Sequence, residues 1–254
     1  MMASSYSSHS YSSHSYQSRS SNLEYAVSNS EIAKTRDIEF NPIQTNYKQK
    51  RYLEGYLTNS KLSQSYFTNS PFLLQSIETK FIGDVKDISE HIEKAFRIIT
   101  GEEFPDDISI HVCSKERLKE FHNEVGGSWS NGISGFAVNR KKSGQRSEIF
   151  VCQGELANAI ATIGHEIGHC ISAPLDNARD EEAKAFAFEF AWVKSINDNN
   201  IAGLRGCFNL ANPAKNNVHD AAFSFVHGLV KRGIDAVKLC FGLINKELSV
   251  GSDL

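Results

Sequence analysis

The segment His165-Glu166-Ile167-Gly168-His169 combines residue types and a spacing that can do hydrolytic chemistry. Two histidines four residues apart on a helix project from one face, one turn above the other. Their imidazoles can converge on one ion without backbone strain. Zinc accepts neutral imidazole, and a catalytic zinc uses three protein ligands with its fourth position open. Glu166, beside the first histidine, can take a proton from the water that attacks a carbonyl. These residues predict a Zn2+ site held by His165 and His169, with Glu166 as general base and a peptide or protein as substrate. With nine histidines in 254 residues, chance yields on the order of 0.02 such pentapeptides per chain. An incidental pair of core histidines is therefore the weaker reading.

The elements that must position this segment follow from its surroundings. Ala157, Ile160, Ala161 and Ile163 predict a helix from Leu156 to about Ser172, ended by Pro174. Asp176 or Asn177 caps a second helix that runs to about Ser195. Gly164 and Gly168 each weaken the first helix by roughly 1 kcal/mol against alanine, so something must approach its backbone closely. Upstream, Ile88, Ile92, Phe96 and Ile99 keep helical spacing, with Asp87 or Ser89 as cap and Gly101 as stop. Residues 108–112 alternate as a strand, 115–121 form a short helix, and Gly126 to Gly132 is a loop. Residues 133–138 and 148–152 read as two strands joined in a hairpin through Lys141-Lys142-Ser143-Gly144. Arg140, Lys141, Lys142 and Arg146 are expected at its solvated tip. Two further helices, about 218–231 and 234–246, complete an α+β domain with a small, mostly antiparallel sheet.

Residues 1–22 are rich in Ser, Tyr and His, and Ser5-Tyr6-Ser7-Ser8-His9 repeats as Ser10-Tyr11-Ser12-Ser13-His14. This composition cannot bury enough apolar surface to offset chain entropy, which predicts a disordered tail. Residues 23–85 read as a linker, docking arm or propeptide with one helix over about 44–58, and the domain is expected over 86–254. A net charge of −3 gives no general electrostatic case for nucleic acid or membrane binding. No stretch reaches membrane-spanning length and the N-terminus has no apolar core of the signal-peptide kind. The five cysteines are scattered without a C-x-x-C pair. They read as free thiols in a reducing compartment, hence the cytoplasm. Cys170 adjoins His169 and is the one thiol near the expected site.

Together with the acidic, alanine-rich stretch Glu181-Glu182-Ala183-Lys184-Ala185-Phe186-Ala187, the His165–His169 motif resembles the gluzincin branch of the zincin metallopeptidases. The nearest likeness is to compact minigluzincin and ImmA/IrrE-type domains. It covers about residues 87–195 and is absent over the N-terminal third. The resemblance implies a zincin-like domain in which a strand pair precedes the motif helix and an edge strand aligns the peptide. Residues 133–138 or 148–152 would fill those roles. Many thermolysin-like enzymes place a histidine on a later helix as donor to the oxyanion, which implies that role for His219. An Asp220 beside a His219 at a helix start is also an ordinary cap.

The third ligand is read from several directions. Ser172 and Leu175 stand where the compact HExxHxxGxxH arrangement needs glycine and histidine, which excludes that pattern. Thermolysin-like spacing implies Glu189, whereas the ExxAxxFA pattern of ImmA/IrrE proteins implies Asp180. If the two helices fold back around Pro174 and Leu175, His169 faces Asp180, His165 faces Lys184, and an ion between them is level with residue 182. Glu189 would then lie roughly 10 Å deeper at about 1.5 Å per residue. This geometry selects Glu182, with Glu181 as runner-up. Asp180, Glu181 and Glu182 would also favour a helix N-terminus through the macrodipole. Glu189, within an apolar run, needs a partner if buried. The functional expectation is a zinc metallopeptidase. The alternatives are a zinc-binding regulatory protein that acts on one partner, or a zymogen blocked by residues 23–85.

Overall fold

The computed structural model describes residues 70–74, 77–211 and 220–251. The expected tail, the helix over about 44–58 and His219 lie outside the described residues.

The first elements are β1 (Phe81–Ile82) and a 3-10 turn (Val85–Asp87) that runs into α1 (Ser89–Thr100). Neither Asp87 nor Ser89 caps this unit. Asp84 does so, accepting from the Lys86 amide, because Val85 and Ile88 must both enter the core. Ile92, Ala95 and Phe96 form the buried face of α1, and Gly101 ends it at φ 76°. β2 (Ile108–Cys113) leads to α2 (Lys115–Glu124), capped by the Ser114 hydroxyl. β3 (Gly135–Val138) and β4 (Ser147–Cys152) form the expected hairpin, turned at Gly144 with φ 65°.

The sheet order is β2-β4-β3. β4 pairs antiparallel with β3 but parallel with β2 over six residues, Ile108↔Ser147 to Cys113↔Cys152. The longest pairing therefore departs from the antiparallel expectation. A parallel pair needs a crossover, and α2, the glycine loop and β3 supply one. The short β5 (Gly154–Glu155) pairs antiparallel with β1. Lys142 and Arg146 are exposed at the hairpin tip as expected, whereas Arg140 and Lys141 are half-buried and pair with Glu148 and with Asp107 at 2.7 Å.

The second half is helical: α3 (Leu156–Cys170), α4 (Ala178–Asp198), α5 (Asp220–Lys231) and α6 (Ala236–Ile244). α4, capped by Asn177, is buried on every side from Glu182 to Val193 and packs against α1, α3, α5 and α6, which makes it the central helix. Phe72, Ile82 and Val85 belong to the same core as α4. All three lie before the boundary expected at residue 86. The result is an α+β fold. None of its helices among the described residues is long and apolar enough to cross a membrane. All five cysteines are free thiols, and only Cys152 is not fully buried.

The two glycines of α3 explain its approach to α4. A Cβ on Gly168 would lie 2.7 Å from the Ala185 Cα, and one on Gly164 would lie 2.3 Å from the Trp192 ring. Trp192 Nε1 donates to the Ile160 carbonyl at 2.8 Å across the same seam. Replacing Gly168 by alanine should cost about 1–3 kcal/mol through overpacking against backbone. Gly154→Ala, whose Cβ would meet open space, should stay within about 0.5 kcal/mol of wild type. Equilibrium unfolding in denaturant measures both.

Candidate metal centre

α3 presents His165 and His169 one turn apart, and their Nε2 atoms face each other at 3.1 Å. α4 brings Glu182 against both: its carboxylate oxygens lie 3.8 Å from the Nε2 of His165 and 3.8 Å from the Nε2 of His169. All three ligand atoms fall within 4.8 Å of one another. Two ligands at zinc distance and a tetrahedral angle are separated by roughly 3.3 Å, so the donor set fits such an ion.

The orientation of the imidazoles is fixed from behind. His165 Nδ1 lies 3.1 Å from Glu189 Oε2, and His169 Nδ1 lies 2.9 Å from Glu181 Oε1. Where its partner is ionised, Nδ1 carries the ring proton and the Nε2 lone pair is left for a ligand. Glu181 also accepts from the Leu175 amide at 2.8 Å and from Lys184 Nζ at 3.0 Å. Lys184, fully buried, donates further to the His169 carbonyl and to Ser172 Oγ. Asn139, just after β3, donates to the carbonyls of His169 and Ser172 at 2.6 and 2.7 Å. The His169 carbonyl, one of the last of α3 and without a partner within the helix, is satisfied by these two side chains.

The charges follow from burial and neighbours. Burial pushes the Glu166 carboxyl up to about 7; His169 opposes this and Glu182 adds to it. Burial also works against a charged His169, but the Glu181 hydrogen bond and the carboxylates of Glu182, Glu181 and Glu166 outweigh it and raise the ring to about 9. Glu181 is itself held down to about 2, where His169 and Lys184 overcome its desolvation. Desolvation raises Glu189 to about 8 despite the Ser70 hydrogen bond.

His165, His169 and Glu182 are therefore brought together, with Glu166 buried beside them. Glu181 is the Nδ1 partner of His169 and stands outside the group of three. Asp180 faces elsewhere, bonding Ser249 Oγ and the Val250 amide. Glu189 was expected roughly 10 Å deeper than the ion at about 1.5 Å per residue, yet it touches His165. Gly168 packs against Ala185, which shifts the facing levels of the two helices by about one turn and carries Glu189 alongside. The Cys170 thiol is buried, pushed well up by desolvation, and stands outside the ligand group. Of the remaining histidines, His111 stacks on Phe150 at 4.7 Å and His227 on Phe223 at 5.6 Å. His122 is buried, its ring so close to Gly127 that a Cβ there would lie 2.2 Å from it.

Three contributing residues were not foreseen. Lys184 carries a usable signal, since a charge inside the apolar run Ala183 to Phe188 must find a partner. Ser70 donates to Glu189 at 2.6 Å from 119 residues away, and Asn139 reaches α3 from the end of a strand. Neither has a local pattern to betray it. Comparisons of the chain with protein-family models, curated proteins and solved structures found no match.

Proposed function

We propose that this chain is a zinc-dependent metallopeptidase with a zincin-like domain, in which His165, His169 and Glu182 hold the metal and Glu166 is the general base. The observation that carries the reading is the convergence of two Nε2 atoms and a carboxylate, each imidazole held at Nδ1 by a carboxylate of its own. A structural pair of core histidines has no need of that arrangement. Bound zinc would supply the Lewis acidity that polarises a scissile carbonyl and acidifies water.

The protein's own groups account for the remaining steps. Glu166, with its carboxyl near 7, is tuned for accepting a proton from the attacking water close to neutral pH and returning it to the leaving amine. β3 is an edge strand beside α3, and no strand among the described residues pairs its other side. The Ser134 carbonyl accepts from the Cys152 amide. By antiparallel alternation, the amide and carbonyl groups of Gly135 and Ala137 then face the free edge. An extended peptide would add there as a further strand, which favours a peptide or unfolded protein segment as substrate over nucleic acid or a membrane. His219, immediately before α5, is proposed as donor to the oxyanion. Five free thiols accord with a cytoplasmic location.

Burial of His165 and Glu166 favours a narrow substrate range. This lends support to a second reading, a zinc-binding regulatory protein that acts on one partner with little general proteolysis. Turnover of a panel of denatured proteins by the zinc-loaded chain supports the peptidase, and silence with zinc bound supports the regulator.

Two outcomes test the site itself. Glu166→Gln should keep one zinc per chain and lower kcat on the order of 10²–10⁴-fold, whereas Glu182→Ala should lose the metal during dialysis. Elemental analysis beside a peptide-cleavage assay reads both, and full activity in the Gln variant sinks the mechanism. A pH dependence follows from His169. Its raised pKa, about 9, means that metal must displace a proton at lower pH. Affinity should climb about tenfold per pH unit from 7 toward 9 and then flatten. Titration calorimetry in two buffers of different ionisation enthalpy measures the released proton.

A further inference from the structure

Ser70, Pro71, Phe72 and Leu73 form a turn closed by the Leu73 amide on the Ser70 carbonyl at 3.1 Å, with proline at the position that suits it. Phe72 anchors this turn in the core, edge-on to Phe190 at 5.3 Å and tilted against Phe223 at 5.7 Å. Its carbonyl accepts from the Asn209 amide at 2.7 Å, and the Leu74 amide donates to the Cys207 carbonyl at 3.0 Å. The anchor therefore does not depend on the serine side chain. That hydroxyl accepts from the Phe72 amide at 3.3 Å and donates to Glu189 Oε1 at 2.6 Å. The other oxygen of Glu189 is 3.1 Å from His165 Nδ1.

We infer that Ser70 is a positioning residue for His165, acting through Glu189, so that the turn over 70–73 is a working part of the site and not only a tether. A buried carboxylate held at one oxygen can still rotate and carry its imidazole partner with it. Held at both, by Ser70 and by His165, it fixes the plane of the ring and hence the direction of Nε2 toward His169 and Glu182. The arrangement follows the rule that groups behind a metal-binding histidine set its tautomer and orientation. It spans α3, α4 and a segment that precedes both in the chain. Its consequence for metal affinity rests on the metallopeptidase reading, whereas its effect on His165 does not.

The test uses the full chain and the substitutions Ser70→Ala, Ser70→Thr and Ser70→Cys. In the metal-free protein, the His165 Nδ1 proton should be protected from solvent exchange in nitrogen-edited NMR spectra. It should remain so with Thr, which keeps the donor, and exchange at least tenfold faster with Ala. Cobalt(II), titrated as a visible probe, should bind on the order of tenfold more weakly to the Ala variant than to wild type or the Thr variant, with altered absorption bands. If the Ala variant does not fold, the Cys variant, of similar shape but a weak donor, should show the same losses. Unchanged proton protection and unchanged cobalt affinity in a folded Ala or Cys variant overturn the inference while leaving the metallopeptidase reading intact. Wild-type protein that binds no cobalt, with the exchange effect still present, sinks the metal reading and leaves Ser70 as the residue that orients His165.

Discussion

The close approach of α3 and α4 at Gly168 and Ala185 is the contact on which the site depends. Any side chain at 168 would hold the two helices apart, since its Cβ would meet the Ala185 backbone at 2.7 and 3.0 Å. A separation of this kind would draw Glu182, Glu181 and Glu189 away from the two imidazoles together, because all three are carried by α4. The alanines of α4 serve the same end by presenting almost no side-chain volume along the seam. Helix propensity is given up at two glycines, roughly 1 kcal/mol each, for a spacing that lets three carboxylates reach two histidines. Trp192, lying over Gly164 and bonded to the Ile160 carbonyl, sets the far end of the seam so that the helices cannot slide.

Around that seam the polar groups are arranged in layers of decreasing freedom. The imidazoles are held by Glu181 and Glu189, and these carboxylates are held in turn by Lys184, the Leu175 amide and Ser70. Lys184 and Asn139 also donate to the His169 carbonyl, so the end of the helix that bears His169 is tied to both α4 and the end of β3. Polar groups buried in this number are tolerable only when nearly every one has a partner. A motif that needs so much support must therefore recruit residues from the strand, the helix and the turn at 70–73.

How much of this was legible in the sequence differs by the range of the interaction. The motif helix, its neighbour with the Asn177 cap, and the hairpin were readable because periodicity, Asn177, Pro174 and Gly144 act within a few residues. Glu182 was named from the levels of two helices folded around a known loop, and it reaches both imidazoles although the true register lies about one turn away. The same argument misplaced Glu189, since the helical register depends on how deeply Gly168 sinks against Ala185, and packing depth is not encoded locally. The parallel pairing of β2 with β4 escaped for a related reason: an alternating strand carries no mark of its partner's direction. Ser70 and Asn139 act over 119 and 30 residues, and single side chains at such separations leave no pattern to read. The place of Phe72 in the core escaped because it is one aromatic in a polar stretch, and its burial depends on a slot made by Phe190 and Phe223.

The balance of charge gives the arrangement its chemical direction. Glu166, Glu181, Glu182 and Glu189 converge on two imidazoles and one ammonium in a volume largely closed to water. Burial is the first cause of the raised carboxyls, Glu166 at about 7 and Glu189 at about 8, with neighbouring carboxylates adding to it, and the surrounding carboxylates lift His169 to about 9. Each of these groups holds its proton more readily than it would in water. A divalent cation between the Nε2 atoms would supply positive charge at the one point all these groups share. It would displace the proton from His169 and bring Glu166 down toward its ionised, base-competent form. The same carboxylates that make the closed pocket costly without a cation would thus favour binding one, and would leave its neighbouring glutamate ready to accept a proton.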